Sequence, residues 1–408
     1  MNILSWALRN VWRTRHRSGV IILAMGFAGF IMIFYAALME GLLRTTERNA
    51  IAMESGQIQI HAPGYRDDPD LYKTITDPEP ILEMLAARGY LAAPRLYGFG
   101  LAAAGVSSAG VQLRGIEIDR ETRVTEIHHH LLDGRWLDNA EPSGVVIGRK
   151  LARTLGVAVG DEVVLVGQGR DGSMANELYR VRGVLKSASE GIDRAGFFMT
   201  AAAFRSLLVM PEDCHEIALR YAGPEEGGLE LQTSELANAL PGLEVMNWRQ
   251  LQPVLARILD ISRYSLLLML FITYTAVAIL TLNSMLMAVF ERIHEFGIIK
   301  ALGVPPWQVF ALIVVETVLQ ILAASVLALA TALPLAIYCQ THPVDLTALA
   351  STSASIAGIA LDPLWYSRVT PETVLAPLLV MASMAMLSVL YPAFKAARIK
   401  PLAAIHYR

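Results

Sequence analysis

Four apolar runs decide what this chain of 408 residues can become. Residues 19–39, 266–290, 309–338 and 373–391 are each long enough, at a rise of 1.5 Å per residue, to cross a hydrocarbon core roughly 30 Å thick. A backbone placed in lipid must satisfy its own hydrogen bonds, so these runs predict four transmembrane helices. Residues 44–263 lack any such run and read instead as a soluble domain inserted between the first helix and the second. Composition agrees: 54% of residues are hydrophobic and 17% charged, too apolar for a wholly soluble protein and too polar for a wholly buried one.

Charge sets the expected orientation. Residues 1–19 hold four arginines and no acid, and residues 391–408 hold two lysines, two arginines and no acid, so the rest nets −11 against −3 for the whole chain. Acid-free basic flanks on apolar runs predict cytoplasmic termini and a soluble domain on the far side of the inner membrane, in the periplasm or an equivalent space; nucleic-acid binding would instead need a basic face on the folded domain. A cleavable signal peptide is not expected, because the first run is too long and no small-residue cleavage site precedes Glu40. Residues 1–17 have Ile3, Leu4, Ala7, Leu8 and Val11 on one helical arc and Ser5, Arg9 and Arg13 opposite, predicting an amphipathic helix at the cytoplasmic membrane surface. Cys214 and Cys339 are the only cysteines, and no disulfide framework is implied.

The expected segments are a cytoplasmic helix (1–17), a first span (18–43), the soluble domain (44–263), a second span (264–290), a polar connection (291–306), a third span (307–338), a loop (339–372), a fourth span (373–392) and a tail (393–408). Within the domain, alternation of Ile58 and Ile60 with Gln57, Gln59 and His61 predicts a strand half exposed to water. Strands over 111–118, 179–185 and 216–223, helices over 81–87 and 229–239, and strand, helix, turn and strand over 144–167 make a mixed α/β domain. His128, His129 and His130 are adjacent and so cannot converge on one metal ion; they are expected exposed, near the turn at Gly134.

No catalytic constellation emerges. The six lysines, at 73, 150, 186, 300, 395 and 400, never follow a glycine, so the chain carries no Gly-Lys-Ser/Thr phosphate-binding core and cannot be its own P-loop ATPase. In the second span Asn283 and nearby hydroxyls are expected to serve helix packing. In the third, Glu316 and Gln320 lie one turn apart, and an acid at mid-bilayer costs roughly 3 kcal/mol, so Glu316 is expected to face the bundle or the interface.

The connection ERIHEFGIIKALG, residues 291–303, concentrates charge between two spans. Arg292, His294 and Glu295 share an arc opposite Ile293 and Phe296. Continued past Gly297, the same helix would set Ile298 and Leu302 among the charges. A break at Gly297 is the expected solution, giving a charged stem, Glu291 to Phe296, and a docking segment of Ile298, Ile299, Lys300, Ala301 and Leu302 that Gly303 and the following prolines end.

This layout, with E-R-x-x-E-F-G-I-I-K-A-L-G, Glu316 and the closing P-A-x-K-A-A-R-I-x-P-L-x-A-I, resembles the FtsX-like, MacB-type permeases of ABC transporters, and most closely the lipoprotein-releasing permeases. The motifs G-R-W-L, V-V-I-G-x-x-L-A and L-G-V-x-V-G-D-x-V are similar to the periplasmic core domain of that group. The resemblance implies a permease of the mechanotransmission kind, not itself an enzyme. Glu291, Arg292, Glu295, Phe296, Gly297, Ile298, Lys300, Ala301, Leu302 and Gly303 would then couple it to a separate cytoplasmic ATPase dimer. It further implies ATP and Mg on that ATPase and no cofactor in this chain, a second permease copy or a paralogue, contact with membrane lipid, and a periplasmic chaperone or adaptor. The cargo would be lipidated or amphipathic, with lipoprotein release foremost. Export of a peptide or small molecule from the periplasm, or a membrane-anchored signalling scaffold, are the alternatives.

Overall fold

The computed structural model describes residues 3–186, 189–223, 228–345, 355–356, 359–360 and 364–399. Contacts divide the chain into a helical unit of residues 1–44, 259–349 and 363–408 and a domain of residues 45–258 and 350–362. In chain order, α1 (Ile3–Arg13) and α2 (Arg15–Ala50) lead into a π-helical turn, Ile51–Ser55. Then come β1 (Ile58–His61), α3 (Glu79–Ala87), β2 (Tyr90–Ala104), β3 (Ser107–Ile116), α4 (Ile118–Val124) and β4 (Leu131–Gly134). They are followed by β5 (Gly144–Ile147), α5 (Arg149–Leu155), β6 (Glu162–Gln168), β7 (Met174–Leu185), α6 (Glu190–Ala195), β8 (Gly196–Thr200) and α7 (Ala201–Leu208). β9 (Glu216–Tyr221), α8 (Leu229–Ala239), β10 (Glu244–Asn247) and α9 (Trp248–Leu251) complete the domain's elements up to α10 (Pro253–Glu291). The chain ends through α11 (Ile293–Ala301), α12 (Pro306–Thr341) and α13 (Pro371–Arg398).

Four helices, α2, α10, α12 and α13, are long and apolar enough to cross a membrane. Within the helical unit, Ala324, Ala328, Ala332 and Ala336 form a fully buried stripe at i, i+4 spacing on α12. Small residues let backbones approach, and α2 answers with Gly29, where an added Cβ would stand 2.8 Å from the Ala328 Cβ. Met25, Met32, Tyr274 and Met381 fill the neighbouring core. Between α12 and α13, Val344–Asp345 pairs with Leu364–Trp365, and the Arg368 amide donates to the Ala37 carbonyl at 2.8 Å. Much of the 339–372 loop and the tail beyond residue 399 lie outside the described residues.

The domain is built on one mixed sheet in the order β10-β1-β9-β2-β3-β8-β5-β7-β4, with β6 bridging β2 and β7. Pairings are antiparallel except β3 with β8 and β5 with β7. One core gathers Val145, Ile147, Val163, Leu165, Phe197 and Phe204 around α5 and α7; another gathers Ile58, Ile60, Leu82, Leu85 and Leu236 under α3 and α8. The two places where the chain enters and leaves this domain are hydrogen-bonded neighbours. β1 follows the end of α2, β10 precedes α10, and the strands pair with Ile58 opposite Asn247. A capping box between Asn247 and Gln250 then turns β10 into α9.

Three local expectations change. Gln59 and His61 are not on a solvated face, for both sides of β1 are buried. Of the three histidines, which fall on and after a 3-10 turn, His129 is exposed, whereas His128 and His130 are half-buried, His128 packing near Trp136. α1 divides its apolar arc: Ile3 and Ala7 pack into the helical unit, leaving Leu4 and Leu8 outward. Both cysteines are free and buried.

Candidate coupling site

The helical break between the second and third spans falls at Arg292 (φ −104°, ψ 11°), one residue after α10 ends. From Ile293 to Ala301 the chain is a single helix running through Gly297, which is buried. The expected break at Gly297 is therefore incorrect. The phase conflict that suggested it survives in the folded protein: Ile293 and Phe296 face inward, while Ile298 and Leu302 stand outward with His294. No break relieves it, so apolar side chains remain in the open.

The inner face explains why the helix stays put. Phe296 is 2% exposed and joins Ala7, Met285, Val289, Val309 and Val389 in one cluster. Arg292 lies 5.3 Å over the Phe296 ring and 3.5 Å from the buried Glu316 carboxylate. Both Glu295 oxygens accept from Arg13 Nη2 at 2.8 Å, and Arg17 Nη2 donates to Glu291 at 2.7 Å. Burial works against ionisation of Glu295, but the hydrogen bonds from Arg13 and Arg292 outweigh it and hold its carboxyl below the usual range. Lys300 points inward, donating to the carbonyls of Ala397 (2.6 Å) and Ile399 (2.8 Å) at the end of α13. There a cation meets the negative end of a helix dipole, although burial lowers its pKa.

The sequence-predicted residues thus divide. Glu291, Arg292, Glu295, Phe296, Gly297 and Lys300 are engaged inside the chain or face inward. Ile298 (44% exposed), Ala301, Leu302 (81%) and Gly303 form the outward surface, and Gly303 ends the helix with φ +94°, a conformation that suits glycine. Trp307, 62% exposed at the first turn of α12, was not singled out by sequence; its place just after the prolines is the only signal. Gln320 is buried, its amide 3.4 Å from the Ser18 hydroxyl. Asn283, expected to pack between helices, is instead exposed on α10 amid Ile279, Leu280 and Met287.

The domain holds a second polar assembly that sequence reasoning missed altogether. Arg95 donates twice to Glu121 (2.9 and 2.7 Å), once to Glu216 (2.7 Å) and once to the Glu54 carbonyl (2.7 Å). His61 lies 3.3 Å from the other Glu216 oxygen, Oε2, the Tyr97 hydroxyl donates at 3.3 Å to the Oε1 that Arg95 also holds, and Arg114 pairs with Glu54 at 2.6 Å. Burial opposes ionisation of Glu216, but the His61 hydrogen bond and the Arg95 charge hold its carboxyl at about 2. This layer borders a cavity of about 490 Å³ that Tyr65, Phe99 and Leu255 also line. Each of its three acids, Glu54, Glu121 and Glu216, is paired with Arg95 or Arg114. Among the described residues, no three potential metal ligands gather anywhere.

Comparison with known proteins finds two matching regions. Residues 18–226 match the family model of the MacB-like periplasmic core domain, and residues 267–401 match that of the FtsX-like permease C-terminal region. The lipoprotein-releasing system transmembrane protein LolC of Neisseria meningitidis serogroup B is 23% identical over 273 residues, 64% of this chain and 65% of its own length. LolC of Xylella fastidiosa is 26% identical over 319 residues, 72% of either chain. The chain thus spans a little under two thirds of the first relative. The extracellular domain of the noncanonic ABC-type transporter YknZ from Gram-positive bacteria superposes with a TM-score of 0.34 at 15% identity, over 47% of this chain and 99% of that one. The periplasmic region of MacB from Actinobacillus actinomycetemcomitans gives 0.37 at 14%, over 50% and 94%.

Proposed function

Because the chain belongs to the FtsX-like, MacB-type family of ABC transporter permeases, we propose that it relays ATP hydrolysis by a separate cytoplasmic ATPase to its periplasmic domain, releasing a lipidated protein from the inner membrane. The outward apolar face of α11 carries this reading. Ile298 and Leu302 on α11, and Trp307 in the first turn of α12, are exposed apolar side chains that water disfavours, in the stretch expected on the cytoplasmic side. A partner surface that buries them gains the hydrophobic contribution without breaking any internal ion pair. ATP and Mg belong to that partner, whose closure displaces α11 and, through it, the helices that lead into the domain.

The relatives named as lipoprotein-releasing proteins support the choice of cargo. A second permease copy is supported by α10: the exposed Asn283 amide would be costly against lipid and is satisfied by a facing helix. A periplasmic chaperone that receives the cargo completes the proposal. The test is co-expression of the tagged chain with an ABC ATPase of the lipoprotein-releasing type, followed by reconstitution with a lipidated protein. The reading predicts a stable, ATP-hydrolysing complex that releases the lipidated protein only with ATP. Failure of the wild-type chain to hold the ATPase overturns it; an assembled complex that leaves the lipidated protein in the membrane overturns the cargo alone.

A further inference from the structure

The cavity beside the buried ion-pair layer of the domain is built on one face of four neighbouring strands. Register sets His61 of β1 opposite Glu216 of β9, Glu216 opposite Arg95 of β2, and Tyr97 and Phe99 of β2 opposite Arg114 and Gln112 of β3. Side chains two residues apart on a strand share a face, so Gln59, His61, Tyr97, Phe99, Gln112 and Arg114 line one wall together. The remaining wall comes from both ends of the domain: Glu54 and Ser55 of the π-helical turn where the chain enters, and residues 251–255 where it leaves. At about 490 Å³ the cavity has the size of a small-molecule site.

The charges at this wall are already matched, Arg114 with Glu54 and Arg95 with Glu216. Neutral polar atoms are not. Gln59 Oε1, His61 Nδ1 and Arg114 Nε have no hydrogen-bond partner among the described residues. The three residues are only 4%, 1% and 7% exposed, and an unmet polar atom at such depth is costly. His61 Nε2 stands 3.3 Å from a Glu216 carboxylate oxygen, so in the neutral ring Nε2 carries the proton and Nδ1 accepts. The Gln59 amide nitrogen donates to the Ser55 carbonyl at 2.8 Å, which leaves Oε1 as a second acceptor. The unmet set is thus two acceptors and one N–H donor. A carboxylate or phosphate brings no proton for the acceptors and sets a negative charge beside Glu54 and Glu216. An ammonium group brings no acceptor for Arg114 Nε. Adjacent hydroxyls supply both donors and an acceptor oxygen without charge, and Phe99, 64% exposed where it lines the cavity, offers a flat apolar face beside them.

We propose that this cavity is a binding site for a neutral sugar, whose hydroxyls meet Gln59, His61 and Arg114 while its ring packs on Phe99. The site makes no use of α11 and is therefore independent of the coupling assignment. Because the entry and the exit of the domain both line it, a bound sugar touches both segments at once.

The experiment is saturation-transfer NMR on the full-length chain in nanodiscs, free of sugar-headed detergent, with empty nanodiscs as background. N-acetylglucosamine and methyl glucoside are the probes, and glutamate and lysine the charged controls. Saturable binding of at least one sugar with a Kd below ~1 mM is expected, and none of either control. Phe99→Ala, at an exposed position, should weaken sugar binding ~fivefold or more and leave the unfolding midpoint unchanged. Val254→Trp, at another exposed lining position, should abolish binding by filling the opening. No sugar bound by the wild-type chain, a control bound as well as the sugar, or sugar binding unaffected by either substitution overturns the inference.

Discussion

Arginine and glutamate are used in two opposite ways in this molecule. In the domain, Arg95 is surrounded by Glu121, Glu216 and the Glu54 carbonyl with almost none of its surface in water. Around the joint between α10 and α11, Arg13 grips Glu295 and Arg17 grips Glu291 where water still reaches both pairs. The buried set has surrendered its hydration, so every member depends on the rest and the loss of one strands a charge. The exposed set can part and re-form, because water replaces each lost partner. One set thus makes a rigid cluster and the other an adjustable contact.

The largest way to test that contrast is Arg95→Ala. Leaving Glu121 and Glu216 buried without their cation is expected to cost the full-length protein about 3–5 kcal/mol, read by urea unfolding followed through tryptophan emission. Acid should attack the same region next. Burial lowers the His215 pKa to about 4 from an ordinary 6.5, so the unfolded chain takes its proton first and the stability present above pH 6.5 is lost as pH falls toward 4. Glu216, held at about 2 against an ordinary 4.5, adds its own loss between those values. A loss on the order of 3 kcal/mol by pH 4, most of it from His215, should appear in unfolding midpoints measured across that range, and His215→Asn should flatten the upper part of the profile.

The outward face of α11 sharpens the comparison from the other side. Ile298→Glu/Leu302→Glu should leave unfolding unchanged and weaken ATPase binding ~30-fold, about 2 kcal/mol, as expected for apolar anchors at the centre of a contact. Smallest of all, Arg13→Glu should alter the unfolding free energy by no more than ~0.5 kcal/mol, since the pair it breaks is exposed. A loss as great as that of Arg95→Ala would erase the distinction between the two regions.

How far the sequence could foretell this follows from range. The spans are legible because lipid demands long uninterrupted apolar runs, and strands such as β7 and helices such as α8 are legible from local alternation and periodicity. β2 escapes, because the small and mixed side chains of residues 90–104 show little alternation and its burial comes from β9, β3 and β6. Arg95, Glu121 and Glu216 escape for a related reason: each looks like an ordinary surface charge until three distant segments meet. At α11 the clash of phases at Ile298 and Leu302 was visible, but not its cause. A chain read alone favours a break that hides apolar residues, whereas a chain with a partner can keep a continuous helix and leave them exposed.

The most direct test of the account is site-specific photocrosslinking in membranes that contain the full-length chain and a co-expressed ABC ATPase, with a benzophenone amino acid at Leu302 and, as the control, at Val106 on the domain's hairpin tip. The account predicts an ATPase adduct from Leu302 and none from Val106. An ATPase bound to the chain yet giving no adduct from Leu302, or giving equal adducts from both positions, would contradict it.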